Sequence, residues 1–203
     1  YTTLFRSSCK DVEKAVEGVR STANLHWINV FGLIDADDRT SEQIERLMNK
    51  GIIAIDSYSV ESLYYRTEII EKIASRLSDI SGKSKEDLYN DATSKIIENI
   101  NSHKQRLCAR LCEKRVRNLV LSSLPKHQNI LNKEQFEIKI DLNQEIEKEE
   151  RIINELIANQ DLNGLISRYP IRETPVINNI VSGLQLNKDT YESSVRKLII
   201  DNP

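Results

Sequence analysis

Residues 26–35 read HWINVFGLID, a nearly continuous apolar run that ends in an aspartate. A run of this kind is typical of a central strand in a parallel sheet, because helices cover both faces of such a strand. Residues 51–56, GIIAID, have the same character over a shorter length. We therefore expect two neighbouring strands joined by a helix, as in a βαβ unit.

The segment between these strands has helical spacing. Thr40 or Ser41 can cap the helix at its start, and Gly51 is suited to end it. Its apolar residues are expected to face inward: Ile44, Leu47 and Met48. Further upstream, residues 1–5 have the β-branched and aromatic content of a strand. They precede a helix whose valines recur at spacings of four and three: Val12, Val16 and Val19.

Nearly every segment from residue 60 onward has helical spacing. We therefore predict two parts, an α/β domain over residues 1–75 and a mostly helical region over residues 76–203. Residues 136–142, FEIKIDL, alternate apolar and polar side chains, which indicates a small edge strand or hairpin. The charged run EIEKEER at 145–151 is expected to be a solvated helix face.

The composition is that of a helix-rich globular protein, with 39% hydrophobic and 30% charged residues, six glycines and four prolines. The net charge of −2 excludes a strongly basic protein, so any nucleic-acid surface must be a local patch. No apolar stretch is long enough to span a membrane and no signal peptide is evident, so we expect a cytoplasmic protein. Of the three cysteines, Cys108 and Cys112 are expected to be buried and reduced rather than metal ligands.

The acidic cluster IDADDR follows the first apolar run. Ligands of parallel sheets bind beyond the carboxyl ends of the strands. Asp35 closes the strand and Asp37 lies two residues further on, so both carboxylates can share a hard cation such as Mg²⁺ or Mn²⁺. The alternative is that Asp37 and Asp38 only cap the next helix.

The stretch from GLIDADDR to SEQIERLMNKGIIAIDSYSVESLYY resembles the second half of a Toprim domain. It is most similar to the Toprim-like effector nuclease of the PARIS anti-phage system and, more distantly, to OLD family nucleases. The resemblance covers residues 28–66. The matching residues are Gly32, Asp35, Asp37, Arg39, Gly51 and Glu61.

The resemblance implies that Asp35 and Asp37 bind Mg²⁺ or Mn²⁺ and that Glu61 joins them in catalysis. It also implies a first strand, preceding Tyr1, whose Glu completes the site. We therefore expect residues 1–75 to be an N-terminally incomplete Toprim-like domain, and the chain by itself could be inactive. Ser62 departs from the Asn that related sequences tend to carry. Arg39 could contact a phosphate or pair with Asp35 or Asp38.

The function that this resemblance implies is metal-dependent hydrolysis of phosphodiester bonds, in RNA such as tRNA or in DNA. The nuclease would be an effector held by an ABC-type ATPase of the same defence system and would form a homo-oligomer when active. One alternative is a non-catalytic Toprim-like module that docks on the ATPase. Another is a phosphotransfer domain with Asp35 as nucleophile, which would need a further strand carrying Lys or Thr.

A basic stripe is predicted on one helix. In HKQRLCARLCEKRVR, residues 103–117, five basic side chains fall on one face: His103, Arg106, Arg110, Lys114 and Arg117. They could follow a nucleic-acid backbone, since phosphate contacts give affinity without specificity. They could equally be a solvated face paired with the acidic run at 145–150. Residues 168–174, RYPIRET, are either a packed turn or a contact loop.

Overall fold

A computed structural model describes residues 9–201 except residues 26, 36–38, 40 and 134. Helices dominate this part of the chain, and its strands form a two-stranded parallel sheet. The N-terminal elements are α1 (Cys9–Ser21), β1 (Gly32–Asp35), α2 (Ser41–Asn49) and β2 (Ile52–Ile55). The helices that follow are α3 (Thr67–Ser81), α4 (Lys85–Thr93), α5 (Ile96–Ser102), α6 (Lys104–Ser123), α7 (His127–Leu131), α8 (Leu142–Ala158), α9 (Leu162–Arg168), α10 (Val176–Gly183) and α11 (Lys188–Asp201). Short 3-10 turns occupy Ala23–Leu25, Val60–Tyr65 and Ile171–Glu173.

The N-terminal elements form a small α/β unit. β1 and β2 pair in parallel, from Gly32 opposite Ile52 to Asp35 opposite Ile55. One face of the sheet packs on α1 and α2 around four buried residues: Val16, Ile34, Leu47 and Ile52. Gly32 allows α1 to approach the sheet, because a Cβ there would lie 2.8 Å from Cγ1 of Val12. The connection into β2 needs Gly51, whose φ of 78° is unfavourable for other residues.

The other face of this sheet is not covered by a helix among the described residues. Leu33 and Ile53 point to it and are 37% and 48% exposed. This differs from the expectation of a strand with helices on both faces. The difference also explains why regular strand structure is short, since little burial supports residues 27–31.

The helical region has a much larger core. Helix α4 packs on both α3 and α10, and α6 lies along α8. Tyr65 stacks on Tyr191 with ring centroids 5.3 Å apart, and the Tyr191 hydroxyl donates a 2.7 Å bond to the carbonyl of Tyr64. These contacts join the turn after β2 to the last helix. The predicted boundary near residue 75 falls inside α3, whose buried residues belong to this larger core.

Several sequence predictions need correction. The strand expected over 26–35 is regular only over Gly32–Asp35. Met48 was expected to face inward but is 69% exposed, because α2 is covered on one narrow face only. Residues 136–141 have no strand, and helix α8 begins at Leu142, capped by the side chain of Asp141. The strand predicted over residues 1–5 lies outside the described residues.

Other predictions are confirmed. Cys108 and Cys112 are free, buried thiols. Residues 168–174 form a packed turn, because Tyr169 and Ile171 are both buried in the core. Within the part of the chain that the structure describes, no helix is both long and apolar enough to cross a membrane.

Candidate functional site

Asp35 lies where the sequence predicts it, at the carboxyl end of β1. Its partner in the sheet is Ile55, the last residue of β2, so both strands end at the same edge. The carboxylate is partly buried, and its Oδ1 is fully enclosed. Asp37 and Asp38 lie outside the described residues. The structure therefore puts one candidate metal ligand at the expected edge.

Arg39 contacts the end of β1. Its Nη1 donates a 2.7 Å hydrogen bond to the main-chain carbonyl of Asp35, and Nη2 lies 3.7 Å from Oε1 of Glu13 on α1. The guanidinium thus joins the strand end to α1. Arg39 is thus bonded to the main chain of Asp35, and its contact with a phosphate stays a prediction.

Glu61 lies in the 3-10 turn that follows β2. Its Oε2 lies 3.7 Å from Nη1 of Arg172, and both side chains are about half exposed. Among the described residues, no group of three or more His, Cys, Asp or Glu side chains is placed to hold a metal ion. Asp35 has the right chemistry for Mg²⁺, but the described donors do not form a complete ligand set. A metal site here would depend on Asp37.

The residues of the basic stripe on α6 have different hydrogen-bond and ion-pair partners. Arg106 donates to the carbonyl of Glu173, and Arg110 pairs with Glu113 at 3.1 Å and with Glu173 at 3.2 Å. Arg117 also pairs with Glu113, at 3.1 Å. These ion pairs are exposed, so they hold the side chains weakly. The stripe is thus a partly neutralised surface rather than a row of unpaired cations.

Lys114 differs from the other stripe residues because it faces the α/β unit. Its Nζ lies 4.9 Å from the ring centroid of Tyr58, within the range of a cation–π contact. Tyr58 follows β2, and its main-chain N–H donates to the carbonyl of Ser167 on α9. Lys114 therefore lies between the helical region and the edge of the sheet where Asp35 is found.

A buried carboxylate, Glu149, was missed by the sequence analysis. The run 145–151 was expected to be solvated, but the Glu149 side chain is fully buried and binds two arginines. Its oxygens accept bonds of 2.8 Å from Arg115, and of 2.6 and 2.7 Å from Arg168. Tyr169 donates a further 2.9 Å bond. Its spacing of four from Ile153, on the apolar face of α8, could have revealed its burial.

The electrostatics of this group follow from its contacts. Burial by itself would raise the pKa of Glu149, but the hydrogen bonds from Arg168 and Arg115 outweigh it and hold the pKa below its usual value. Burial raises the pKa of Tyr169, and the neighbouring Glu149 charge adds to the effect. At neutral pH the group is therefore an ionised carboxylate held by two guanidinium cations and a neutral phenol.

These residues border a cleft of about 340 Å³ that begins where β2 ends. Asp56, Ser57 and Tyr58 form one wall, and α6, α8 and α9 form the others. Asp56 was not predicted from the sequence either. The rule that selected Asp35 could have found it, because Asp56 directly follows the second strand. The cleft and the Asp35 carboxylate thus lie at the same edge of the sheet.

No protein-family model, no curated protein and no solved structure was found to match this chain.

Proposed function

We propose that this chain is a Toprim-like, Mg²⁺- or Mn²⁺-dependent nuclease that serves as the effector of an ATPase-coupled anti-phage defence system. The substrate class is RNA, such as tRNA, or DNA. The partner is an ABC-type ATPase of the same system, and the active form is a homo-oligomer. Its family, partner and biological role rest on the resemblance of residues 28–66.

One structural observation supports the proposal most. Asp35 ends a parallel strand, beside the end of its neighbour, with one carboxylate oxygen enclosed. This is the edge at which parallel sheets bind ligands. A strand end also fixes a side chain more firmly than a loop would. The adjacent cleft with its basic side chains fits a polyanionic substrate.

The chemistry would divide between the metal and the chain. A bound Mg²⁺ or Mn²⁺ would activate water and neutralise charge on the phosphate. Asp35 and Asp37 would hold it, and Arg39 would fix the strand end that carries Asp35. Glu61 takes part in catalysis only if its contact with Arg172 opens.

The test is to replace Asp35 and Asp37 together with Asn in the protein expressed with its ATPase partner. We expect the variant to lose the thermal stabilisation that Mg²⁺ or Mn²⁺ gives and to lose cleavage of RNA and DNA. The reason is that the amide is neutral and binds hard cations poorly. Thermal shift with and without metal, and cleavage of labelled RNA and DNA, provide the measurements.

A matched control is Asp79→Asn, an exposed acid on α3 that is far from the strand ends in sequence. This variant should keep wild-type metal response and cleavage. Undiminished cleavage by the double variant would reject the proposed site.

A second candidate is a non-catalytic Toprim-like module that docks on the ATPase. Two observations favour it: Glu61 pairs with Arg172, and Arg39 is engaged by the Asp35 carbonyl and Glu13. Such a module would bind the ATPase equally well with Asp35 and Asp37 replaced, and it would show no metal response before replacement. Co-purification with the ATPase, measured beside the metal titration, separates the two candidates.

A further inference from the structure

The cleft that begins at the end of β2 connects the two parts of the molecule. Its wall from the α/β unit is Asp56–Tyr58, and this wall is tied to α9 by the bond from Tyr58 to Ser167. Its volume of about 340 Å³ falls in the range of small-ligand sites. Carboxyl ends of parallel strands are where such ligands bind. The position and size of the cleft both fit a ligand site.

Cationic and hydroxyl-bearing residues supply most of the polar side chains that line the cleft. Lys114 and Arg115 come from α6, and Arg168 comes from the end of α9. Three hydroxyl-bearing residues accompany them: Ser57, Tyr58 and Ser167. Among the described residues, Asp56 adds an acid to the lining, and Leu111, Ile152 and Leu156 add apolar side chains. Cations with hydroxyls are the side chains that bind phosphate oxygens in proteins.

Glu149 fixes the positions of the two arginines that line the cleft. It does not line the cleft but lies beneath it, fully buried, and it binds Arg115 and Arg168 at once. Because their guanidiniums are held in place, little side-chain entropy would be lost when a ligand binds. Arg115 also pairs with Glu145 at 3.0 Å, so it is the more fully neutralised of the two arginines.

Arg168 shows how this arrangement leaves a donor for a ligand. The bonds to Glu149 use Nε and Nη2, which lie on one side of the guanidinium. Within the described part of the chain, Nη1 makes no hydrogen bond, and the side chain is 35% exposed. A guanidinium held on one side by a carboxylate can present its remaining N–H groups to a phosphate.

From these contacts we infer that the cleft is a phosphate-binding subsite and that its ligand is a backbone phosphate of a nucleic acid. The inference rests on the proposed function for the nucleic acid, whereas the phosphate chemistry follows from the lining alone. Lys114 and Arg168 contact the phosphate, and Glu149 is a positioning residue. The subsite would hold the substrate beside Asp35 without taking part in bond cleavage.

Binding can be tested apart from cleavage, in EDTA, by fluorescence anisotropy of a fluorescein-labelled 15-nucleotide RNA and the same DNA sequence. Lys114→Gln is the informative variant, because Lys114 does not bond to Glu149 and the fold should survive its loss. We expect affinity to fall about tenfold, as for one charge-assisted hydrogen bond. The slope of log affinity against log salt should decrease by about 0.7–0.9.

A second variant examines the cleft from its opposite wall. Ser167→Asp adds a negative charge to the lining and should weaken binding at least as much, whereas Ser167→Asn adds similar bulk without charge and should have a smaller effect. Lys72→Gln, which removes an exposed lysine on α3, is the control for general charge and should bind as wild type does. Circular dichroism confirms that each variant is folded.

Competitors identify the source of the phosphate. Inorganic phosphate and AMP should both displace the labelled oligonucleotide from the wild-type chain. The concentration of either competitor that displaces it from Lys114→Gln should be no lower than for the wild-type chain. If AMP binds the chain but the oligonucleotides do not, the cleft takes a free nucleotide and the nucleic-acid assignment is wrong. Wild-type affinity in both folded variants, or no binding of any of these probes to the wild-type chain, would overturn the inference.

The two proposals fail in different ways. Loss of cleavage in the Asp35 and Asp37 variant with binding retained supports both. Cleft variants with unchanged binding and unchanged cleavage would reject the subsite and leave the nuclease standing. Phosphate binding in the cleft of a protein that never cleaves would reject the nuclease and leave the subsite standing.

Discussion

The α/β unit and the helical region differ most in how much they bury. Among the described residues, the core of the α/β unit has four buried hydrophobic side chains, Ile34 and Ile52 among them, and one face of its sheet is partly exposed. The helical region buries more than twenty, including three tyrosines and the charged Glu149. The part that carries the candidate metal ligand is thus the less supported part. Local stability is expected to differ accordingly.

The two parts also differ in the surroundings of their carboxylates. In the helical region, a buried carboxylate is matched by two guanidiniums and a phenol, because enough surrounding structure holds all four groups. In the α/β unit, Asp35 stands at the edge of the sheet, partly buried and with its Oδ1 enclosed. The buried charge is thus fixed by its partners, whereas the charge at the strand end is only partly buried.

The largest expected effect comes from truncating a buried isoleucine in each of the two cores. Ile100→Ala, in the helical core, should lower the global free energy of unfolding by about 4 kcal/mol, because a large cavity cannot collapse there. Ile34→Ala should cost about 2 kcal/mol, because the small cluster around it can relax. Chemical denaturation measures the first effect. Hydrogen exchange should localise the second to residues 32–35 and 52–55, and equal global losses would contradict the difference between the regions.

Removing the buried carboxylate is the next largest change. Glu149→Gln should destabilise the protein by about 3 kcal/mol, because two half-buried guanidiniums lose their counter-charge. Denaturant unfolding is the measurement. Glu147→Gln, an exposed neighbour on α8, should stay within about 0.5 kcal/mol of wild type. A Glu149→Gln protein as stable as this control would show that the ion pairs add nothing net.

Low pH should reduce the contribution of Glu149 and its ion pairs to the stability of the protein. The folded-state pKa of Glu149 is lowered from the usual value of 4.5, so its contribution is complete above that pH and is lost as the pH falls through the lower folded value. Other carboxylates also titrate there. The difference in stability between wild type and Glu149→Gln isolates Glu149, and it should shrink as the pH falls below about 4.5. A constant difference down to pH 3 would contradict the lowered pKa.

The smallest effect concerns thiol reactivity. Burial, with the Glu149 charge nearby, raises the pKa of Cys108 to about 11, and burial also raises the pKa of Cys112. Both should resist iodoacetamide at pH 8 in the native protein, because the thiolate is the reactive form. Cys9, the first residue of α1, is partly exposed and should react first. Mass spectrometry of tryptic peptides measures the order, and early labelling of Cys108 would mean that the helical core opens readily.

The sequence by itself determined the local elements. Apolar runs and helical spacing gave β1, β2 and the helices between and after them, and the strand-end rule gave the position of Asp35 at the edge of the sheet. These features depend on neighbours within a few residues, so a periodic pattern is sufficient to predict them. The pattern failed at 136–142, where alternation of side chains occurred without a partner strand to pair with.

Only the tertiary structure decided which charges are buried and which lie together. Glu149, Arg115 and Arg168 come from three different helices, so local spacing could indicate that Glu149 is buried but not which cations it meets. The same holds for Lys114, which differs from the rest of its stripe because Tyr58 lies opposite it. Burial and charge pairing depend on contacts between residues distant in sequence, and such contacts are fixed by packing rather than by local spacing.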